Sequence, residues 1–272
     1  MGLRIFDNLE QLFHEVGALC SSGTIGIIPS TGHFQYNTLE MIQKSRSEND
    51  TTIIIVLDPI DMGQTASFTY EQLSFSDREH LIRQGVDGIV LVPKSISNRF
   101  ILKENYFGNL MGLPENVVQA FVTRFLKILV RLRPLHVYWS DLYYRQALIL
   151  ENLIEDFSPG VTLMRHDITR ETNGIPHSSS SSLLTASEKD FSLNFHRILY
   201  DQFNDCVGLN SQMVIDRITD LLENEGFADV DVRVFDERMN NNDSIGKLSR
   251  VFASVKIRDV VIVDNLPVRM EL

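Results

Sequence analysis

The chain has 272 residues, of which 43% are apolar and 22% charged, and its formal net charge is −11. This length allows one large domain or two smaller ones, and the composition is that of an ordinary globular protein. The negative charge argues against nucleic acid as a partner, because phosphate binding requires basic patches that the sequence lacks. No apolar run approaches the roughly 18 residues that a bilayer span needs, so we also expect no membrane association.

The start of the chain, MGLRIFDNLEQLF, has the pattern of an amphipathic segment and not that of a secretory signal. The two cysteines, Cys20 and Cys206, are far apart in sequence, form no CxxC motif and have no histidine partner nearby. We therefore expect both to be buried, reduced thiols, and we expect the protein to be cytoplasmic.

The first half of the chain alternates between strand-like and helical patterns. The predicted strands are 24–28, 51–57, 88–93, 136–139 and 161–164, and the predicted helices are 7–18, 38–46, 76–84, 115–132 and 141–157. The run TTIIIVL at 51–57 is continuously apolar after its two threonines, as is typical of parallel strands that are buried on both faces. Strands separated by helices imply βαβ units, so we predict an α/β domain with a parallel sheet covered on both faces.

The second half of the chain has a different organisation. A polar, low-complexity passage, IPHSSSSSLLTASEKD, follows Asn173 and Gly174. The predicted helices are then 187–205 and 209–226, and the predicted strands are 230–236, 250–257 and 260–265. This order predicts a smaller α+β domain over residues 173–272, after an α/β domain over residues 1–172.

One segment, IGIIPSTGHFQYNTLEMIQ at 25–43, combines an apolar strand, a glycine turn and a helical pattern. This arrangement commonly presents backbone N–H groups to a phosphate. The turn, however, carries Gln35, Tyr36, Asn37 and Thr38, where a phosphate site would normally have histidine, lysine or arginine. From the residues alone, both a nucleotide site and a site that has lost its phosphate contacts remain open.

Five segments match the motifs of one known family in their order along the chain. They are IPSTGHFQYNT at 28–38, VLDPIDM at 56–62, GVDGIVLVP at 85–93, SDLYYRQ at 140–146 and ITRETNGIPHSSSSSLL at 168–184. They resemble VPTMGALHEGH, FVNPTQF, GVDAVFAP, GEKDYQQ and PTVREPDGLAMSSRNRYL of the pantothenate synthetase (pantoate–β-alanine ligase) family, which belongs to the nucleotidyltransferase superfamily. The resemblance implies a Rossmann-like first domain, a smaller α+β second domain, and a homodimer through the first domain.

Members of that family make pantoyl adenylate from ATP and pantoate, and β-alanine then attacks it to give pantothenate and AMP. The resemblance implies ATP and Mg²⁺ as cofactors of an active member, because the first step develops negative charge on the phosphates. The nucleotide-binding positions of the family fall at Thr31, Gly32, Asn37, Leu142, Ser178, Ser179 and Ser180. Its substrate-binding positions fall at Ser30, Asp58, Asp61 and Gln146.

The cationic residues of these motifs are replaced in this chain. The two histidines of the His-x-Gly-His signature are Gln35 and Thr38 and its glycine is Asn37, the lysine is Leu142, and the arginine of Ser-Ser-Arg-Asn is Ser180. Removing one transition-state donor typically slows a reaction by about 10²–10³, and a combined deficit above roughly 10⁴ follows even without full additivity. We therefore expect no retained catalytic residue and an impaired or repurposed protein. The alternative is a functional pantoate–β-alanine ligase with a rearranged ATP site.

The predicted pantoate pocket also changes in charge. The asparagine and glutamine of the family's NPTQF motif are Asp58 and Asp61 here. Two carboxylates beside a site for a carboxylic acid repel it or acquire raised pKa values. We therefore expect any small-molecule ligand of this altered pocket to be cationic or polyhydroxylated. No histidine of the chain shows metal-ligand spacing, so we predict no resident metal site.

Other features each have two interpretations. The serine run at 178–182 is either a flexible surface linker or a residual phosphate contact. Arg145 either restores one positive charge at the site or faces solvent. We interpret Arg170 and Asp264, which match family positions, as structural.

Overall fold

The computed structural model describes residues 3–19, 23–30, 34, 36–57, 75–91, 115–172, 174–178 and 180–268. The chain divides into two compact units, residues 1–168 and 169–272. The boundary predicted from the sequence, between residues 172 and 173, falls just inside the second unit. Within the described ranges, no helix is both long and apolar enough to cross a membrane.

The first unit alternates strands and helices along one parallel sheet. Its strands are β1 (Arg4–Phe6), β2 (Ile25–Ser30), β3 (Thr51–Val56), β4 (Gly88–Leu91), β5 (His136–Ser140) and β6 (Thr162–His166). Its helices are α1 (Leu9–Leu19), α2 (Tyr36–Glu48), α3 (Phe75–Arg83), α4 (Glu115–Leu132) and α5 (Tyr144–Phe157), with a short 3-10 helix at Asp141–Tyr143. In the part of the chain that the structure describes, the strand order is β1-β4-β3-β2-β5-β6, and every pairing is parallel. The predicted α/β class is confirmed.

Helices cover both faces of this sheet. On one face, Met41 and Ile42 of α2 and Leu81 of α3 pack against sheet residues such as Ile54. Helices α1, α4 and α5 pack against the other face. Because a strand covered on both sides needs apolar residues at consecutive positions, β3 is buried at every position.

The sequence did not predict β1. Its three residues pair with β4 at one end of the sheet, where Phe6 lies opposite Val90. Three residues are too few for a periodicity signal, so the strand is defined by its partner and not by its own pattern.

The strand order reverses between β2 and β5, which are neighbours in the sheet. From β2 the chain moves outward to β3 and β4, and it then returns to place β5 on the other side of β2. In open parallel sheets, ligands bind outside the carboxyl ends of the strands at such a reversal. Ser30 ends β2 and Ser140 ends β5, so both serines lie at this edge of the sheet.

A network of polar side chains holds the second half of α2 against the sheet. The Ser45 and Thr52 hydroxyl oxygens are 2.8 Å apart, and Asn49 Nδ2 donates to the Tyr138 hydroxyl oxygen at 2.9 Å. The Tyr138 hydroxyl in turn donates to Glu48 at 2.7 Å. Burial, followed by the bond to Glu48, raises the pKa of Tyr138, so the phenol remains a donor. This network fixes the position of α2 on β3 and β5.

The second unit has two helices and an antiparallel sheet. Its elements are α6 (Ala186–Phe203), α7 (Ser211–Glu225), β7 (Ala228–Phe235), β8 (Arg250–Ile257) and β9 (Val260–Pro267). Among the described residues, the sheet has the order β7-β8-β9. Thr185 and Glu188 form a capping box at the start of α6, and the Asn210 side chain accepts from the Met213 amide at the start of α7. These caps define where each helix begins, and the unit is the smaller α+β body expected.

Candidate functional site

Two helices begin at the carboxyl edge of the first sheet, beside the strand-order reversal. Helix α2 follows β2, and α5 follows β5 through the 3-10 helix Asp141–Tyr143. The first N–H groups of a helix have no partner within the helix and attract hydrogen-bond acceptors. Because α2 and α5 pack on opposite faces of the sheet, the two helix starts flank the reversal from both sides.

The first turn of α2 carries Asn37 and Thr38, at the family's glycine and second-histidine positions. Their exposed fractions are 8% and 5%. The Thr38 hydroxyl donates to Asn37 Oδ1 at 3.4 Å, and the Asn37 amide nitrogen makes no hydrogen bond within the described residues. The turn therefore offers a neutral hydrogen-bonding pair in place of an imidazole.

The start of α5 is also neutral at the family positions. Leu142, at the lysine position, is a buried side chain whose backbone N–H donates to Ser140 Oγ at 3.3 Å. Gln146, on the first turn of α5, is 5% exposed. In the part of the chain that the structure describes, its side-chain amide makes no hydrogen bond. A buried apolar side chain thus stands at the lysine position, and a buried amide without a described partner lies one turn further on.

Arg165 of β6 holds the 3-10 helix in place. Its Nε donates to Asp141 at 2.7 Å, its Nη1 donates to Glu151 at 3.1 Å, and its guanidinium lies 4.3 Å from the Tyr144 ring centroid. Burial acts to lower the pKa of Arg165, but the two carboxylates outweigh it and the pKa is raised. The charge of Arg165 is therefore engaged. Arg145 is partly buried, so it does not face solvent fully, and its contribution of positive charge to the site stays a prediction.

The structure describes one of the remaining predicted site residues, Ser30, and leaves six others outside its described ranges. Ser30 is partly buried at the end of β2, and its carbonyl oxygen accepts from the Leu57 amide at 2.8 Å. Six predicted positions lie outside the described residues, and their assignments stay predictions: Thr31, Gly32, Gln35, Asp58, Asp61 and Ser179.

The serine run in the second unit is not an exposed linker. Ser178, Ser180 and Ser181 are all buried. The Ser181 amide donates to Ser178 Oγ, and the Ser178 amide donates to Ser181 Oγ, both at 3.0 Å. The flexible-surface interpretation is therefore wrong for these three residues, because two of the hydroxyls close a turn of the backbone. A phosphate contact at Ser178 or Ser180 stays a prediction.

An ion pair anchors the segment that precedes these serines. Arg170 Nη1 and Nη2 each donate to one carboxylate oxygen of Asp264 at 2.8 Å, and Nη1 also donates to the Gly174 carbonyl at 2.9 Å. The Asp264 side chain is completely buried, and His196 Nδ1 lies 3.1 Å from its Oδ2. This geometry agrees with a structural role for Arg170 and Asp264 within the second unit.

Sequence reasoning missed a groove of about 510 Å³ in the first unit. Glu40, Gln43 and Lys44 of α2 line one side, and Met164 and His166 of β6 line the other. His166 Nε2 lies 3.7 Å from a Glu40 oxygen, so the groove is bridged by its own side chains. The helical spacing of the polar residues on α2 was its only sequence signal, and none of the predicted site residues lines it.

Comparison with known proteins assigns the chain to one family. A sequence profile of the pantoate-beta-alanine ligase family matches residues 4–267. Similar solved structures include pantothenate synthetase from Thermus thermophilus, at 17% identity over 97% of this chain and 99% of that chain, with a TM-score of 0.76. Another is pantoate-beta-alanine ligase from Francisella tularensis, complexed with beta-gamma ATP and beta-alanine. It is 21% identical over 98% of each chain, with a TM-score of 0.71.

These identities establish a shared fold, and the profile match covers nearly the whole chain. The parallel sheet with its strand-order reversal and the smaller antiparallel sheet are the two parts of that fold. The protein belongs to the pantoate–β-alanine ligase family.

Proposed function

We propose that this protein is a pantothenate synthetase-like protein whose ligase activity is lost or strongly impaired, and that it serves as a binding or regulatory protein. The observation that carries the proposal is the character of the three described positions where the family has a cation. Thr38, Leu142 and Ser180 are neutral, and each is only 5% exposed. A buried neutral side chain supplies no counter-charge to a triphosphate.

The residues present do not fit ATP as the family would hold it. Stabilising the developing charge of a transferred nucleotidyl group requires fixed cations or strong donors. Arg165 is engaged by Asp141 and Glu151, and the net charge of −11 disfavours a polyanion at long range. Among the described residues, no cluster of three histidine, cysteine or acidic side chains could hold a metal ion. We therefore derive no reaction step through ATP or Mg²⁺.

Binding remains within the capacity of these residues. The starts of α2 and α5 still present backbone N–H groups at the reversal between β2 and β5, and the Gln146 amide is available nearby. Such groups orient a ligand that offers acceptor oxygens. Because the family motif predicts the carboxylates Asp58 and Asp61 in the substrate pocket, we expect a cationic or polyhydroxylated ligand to be favoured over pantoate. Tight pantoate binding in calorimetry would contradict this preference.

A functional ligase with a rearranged ATP site is the second candidate. Gln146 favours it, because a family substrate-binding residue is retained with an amide that no described residue engages. In this case Mg²⁺ and cations of the chain, such as Arg145, would together neutralise ATP in place of the missing side chains.

Complementation of a pantothenate auxotroph distinguishes the two candidates. The strain carries this protein, an intact family member or an empty vector, and purified protein is assayed for pyrophosphate release from ATP and pantoate. We expect growth only with added pantothenate, and a rate at least about 10⁴-fold below that of the intact member. Growth without pantothenate would establish the second candidate.

We also propose a homodimer through the first unit and a cytoplasmic location. Both rest on the family relationship. Light scattering after size-exclusion chromatography at several protein concentrations tests the dimer, and a monomer at all of them would contradict it.

A further inference from the structure

We infer that the groove of about 510 Å³ between α2 and β6 binds a free α-amino acid with an apolar side chain. All of its lining residues belong to the first unit, and none of the nucleotide- or substrate-binding positions predicted from the family is among them. The inference is therefore independent of the proposed function, and it holds whether or not the ligase reaction is retained.

The groove follows α2 along the face of the sheet that this helix covers. Glu40, Lys44 and Ser47 recur at helical spacing, so they form one side of the groove from a single face of α2. Met164, in the middle of β6, forms part of the other side and packs against the apolar cluster beneath α2. The groove therefore extends away from the carboxyl edge of the sheet, towards the last turn of α2.

Lys44 supplies a cation to the groove. Its Nζ lies 2.7 Å from a Glu48 carboxylate oxygen, and its side chain is 53% exposed. An ammonium group has three donors, so one contact with Glu48 leaves others for a ligand. An exposed ion pair of this kind is weak, and a ligand carboxylate adds a charge-assisted hydrogen bond to the same ammonium group.

A pair of acceptors faces the groove one turn closer to the start of α2. His166 Nδ1 donates to the Asp167 carbonyl oxygen at 3.1 Å, so Nε2 of the neutral imidazole carries a lone pair. This nitrogen lies 3.7 Å from a Glu40 carboxylate oxygen, which is too far for a hydrogen bond. Two acceptors that face each other favour a donor, and a ligand ammonium group donates to both.

The two charges on α2 select a zwitterion. Glu40 and Lys44 are four residues apart, which places their Cβ atoms about 5–6 Å from each other. The ammonium and carboxylate groups of an amino acid carry the complementary charges on adjacent atoms of one small molecule. A simple anion would meet Glu40 and a simple cation would meet Lys44, so each would gain one attraction and one repulsion.

The apolar part of the lining selects the side chain of the amino acid. Met164 is half-buried beside the groove, and its flexible thioether adapts to the shape of an apolar group. The Tyr138 hydroxyl is engaged by Glu48 and Asn49, so this residue adds no unpaired polar group to the lining. A branched aliphatic side chain buries apolar surface here, which glycine and β-alanine cannot do.

NMR of methionine methyl groups tests the inference at the groove itself. The eight methionines of the full chain are labelled with ¹³C at the methyl carbon, and the Met164 signal is the one that Met164→Leu lacks. We expect leucine to shift this signal saturably, with a dissociation constant of about 1 mM. Leucinol lacks the carboxylate, N-acetylleucine lacks the ammonium group and β-alanine lacks the side chain. Each should bind at least about tenfold more weakly than leucine.

Two substitutions assign the charges of the ligand to their partners. Lys44→Met should weaken the binding of leucine about tenfold and leave that of leucinol unchanged, because leucinol has no carboxylate for Lys44 to bind. Glu40→Gln should weaken leucine by a similar factor and leave N-acetylleucine unchanged. Lys247→Met removes an exposed charge from the second unit and is the control, with no change expected. Thermal melting establishes that each variant folds.

Absence of a saturable shift of the Met164 signal at tens of millimolar leucine would overturn the inference. Equal affinities for leucine, leucinol and N-acetylleucine would also overturn it, as would an equal loss of leucine and leucinol binding in Lys44→Met. None of these measurements involves ATP or pantoate, so their outcome is separate from that of the complementation experiment.

Discussion

Gly26 allows α2 to approach the sheet closely, because it has no side chain beneath the polar network of that helix. A Cβ atom at this position would lie 2.7 Å from Asn49 Nδ2 and closer still to Ser45 Oγ. Both neighbours are buried, and both take part in hydrogen bonds that fix α2. Whether this position accepts a side chain therefore depends on Ser45 and Asn49, which are distant from it in sequence.

Gly26→Ala is expected to lower the free energy of unfolding by about 1–3 kcal/mol, the usual effect of overpacking. Chemical denaturation monitored by circular dichroism measures the change. Gly160→Ala is the matched control, since a Cβ there would meet nothing within 4 Å, and we expect a change within about 0.5 kcal/mol. Equal effects of the two substitutions would contradict the close approach of α2.

Asp264→Asn removes the charge from the buried partner of Arg170 while keeping its shape. We expect a loss of about 3 kcal/mol in the free energy of unfolding, because one member of a buried pair remains uncompensated. Asp229→Asn is the control: Asp229 is exposed and pairs with Lys256 at 3.2 Å. Its φ of 47° is one that asparagine tolerates. A change beyond about 0.5 kcal/mol in the free energy of unfolding of Asp229→Asn would conflict with the small contribution that surface ion pairs make to stability.

At the scale of elements, long periodic patterns were predictable and short or context-dependent ones were not. Helix α4 spans Glu115–Leu132, as its apolar stripe predicted, and β8 spans Arg250–Ile257, also as predicted. Strand β1 has three residues, so its pattern carries too little information. The sequence predicted one helix from residue 141, whereas a 3-10 helix comes first and Arg165 holds it through Asp141.

The chemistry of the candidate site was also predictable only in part, because some of it depends on how the elements pack together. The replacement of cations at Thr38, Leu142 and Ser180 is visible in the sequence. Their burial is not, because it depends on which elements pack over each turn. The available amide of Gln146 and the Ser178–Ser181 turn likewise follow from tertiary packing, since neither a glutamine nor a serine run specifies its own partner.

The capping box of α6 makes the stability of that helix depend on pH. Hydrogen bonds from the Thr185 backbone and side chain, and the nearby Arg258 guanidinium, lower the pKa of Glu188 from its ordinary value of 4.5. A carboxylate whose pKa is lowered by folding stabilises the fold above its unfolded pKa, and this stabilisation is lost as the pH falls through the folded pKa.

We therefore expect the wild-type free energy of unfolding to decline below about pH 4.5 partly through Glu188. Glu188→Gln keeps the capping geometry and removes the titration, so the difference in stability between wild type and variant should shrink as the pH falls from about 6 to about 3. Urea denaturation across this range provides the measurement. A constant difference would contradict the role of the ionised carboxylate.

At the scale of the whole molecule, each unit has its own sheet and its own apolar core. In the second unit that core includes Phe195, Leu199 and Ile218, which are 0–1% exposed. A body of this size, with capped helices and a paired sheet, meets the usual requirements for independent folding. If this unit is produced as a separate fragment, the residue at which the fragment begins decides whether it contains the Arg170–Asp264 pair.

Two fragments test where the second domain begins. Residues 169–272 keep Arg170 and start at the observed boundary between the units, whereas residues 173–272 start at the boundary predicted from the sequence and lose that arginine. We expect the longer fragment to unfold in one cooperative transition. The shorter one should be about 3–5 kcal/mol less stable, because the Asp264 carboxylate stays buried and keeps His196 and the Asn265 amide beside it but loses its arginine. Adding Asp264→Asn to the shorter fragment removes that uncompensated charge and should recover part of the loss. Equal stability of the two fragments, measured by urea denaturation, would show that the domain begins after Arg170 and that the ion pair does not stabilise it.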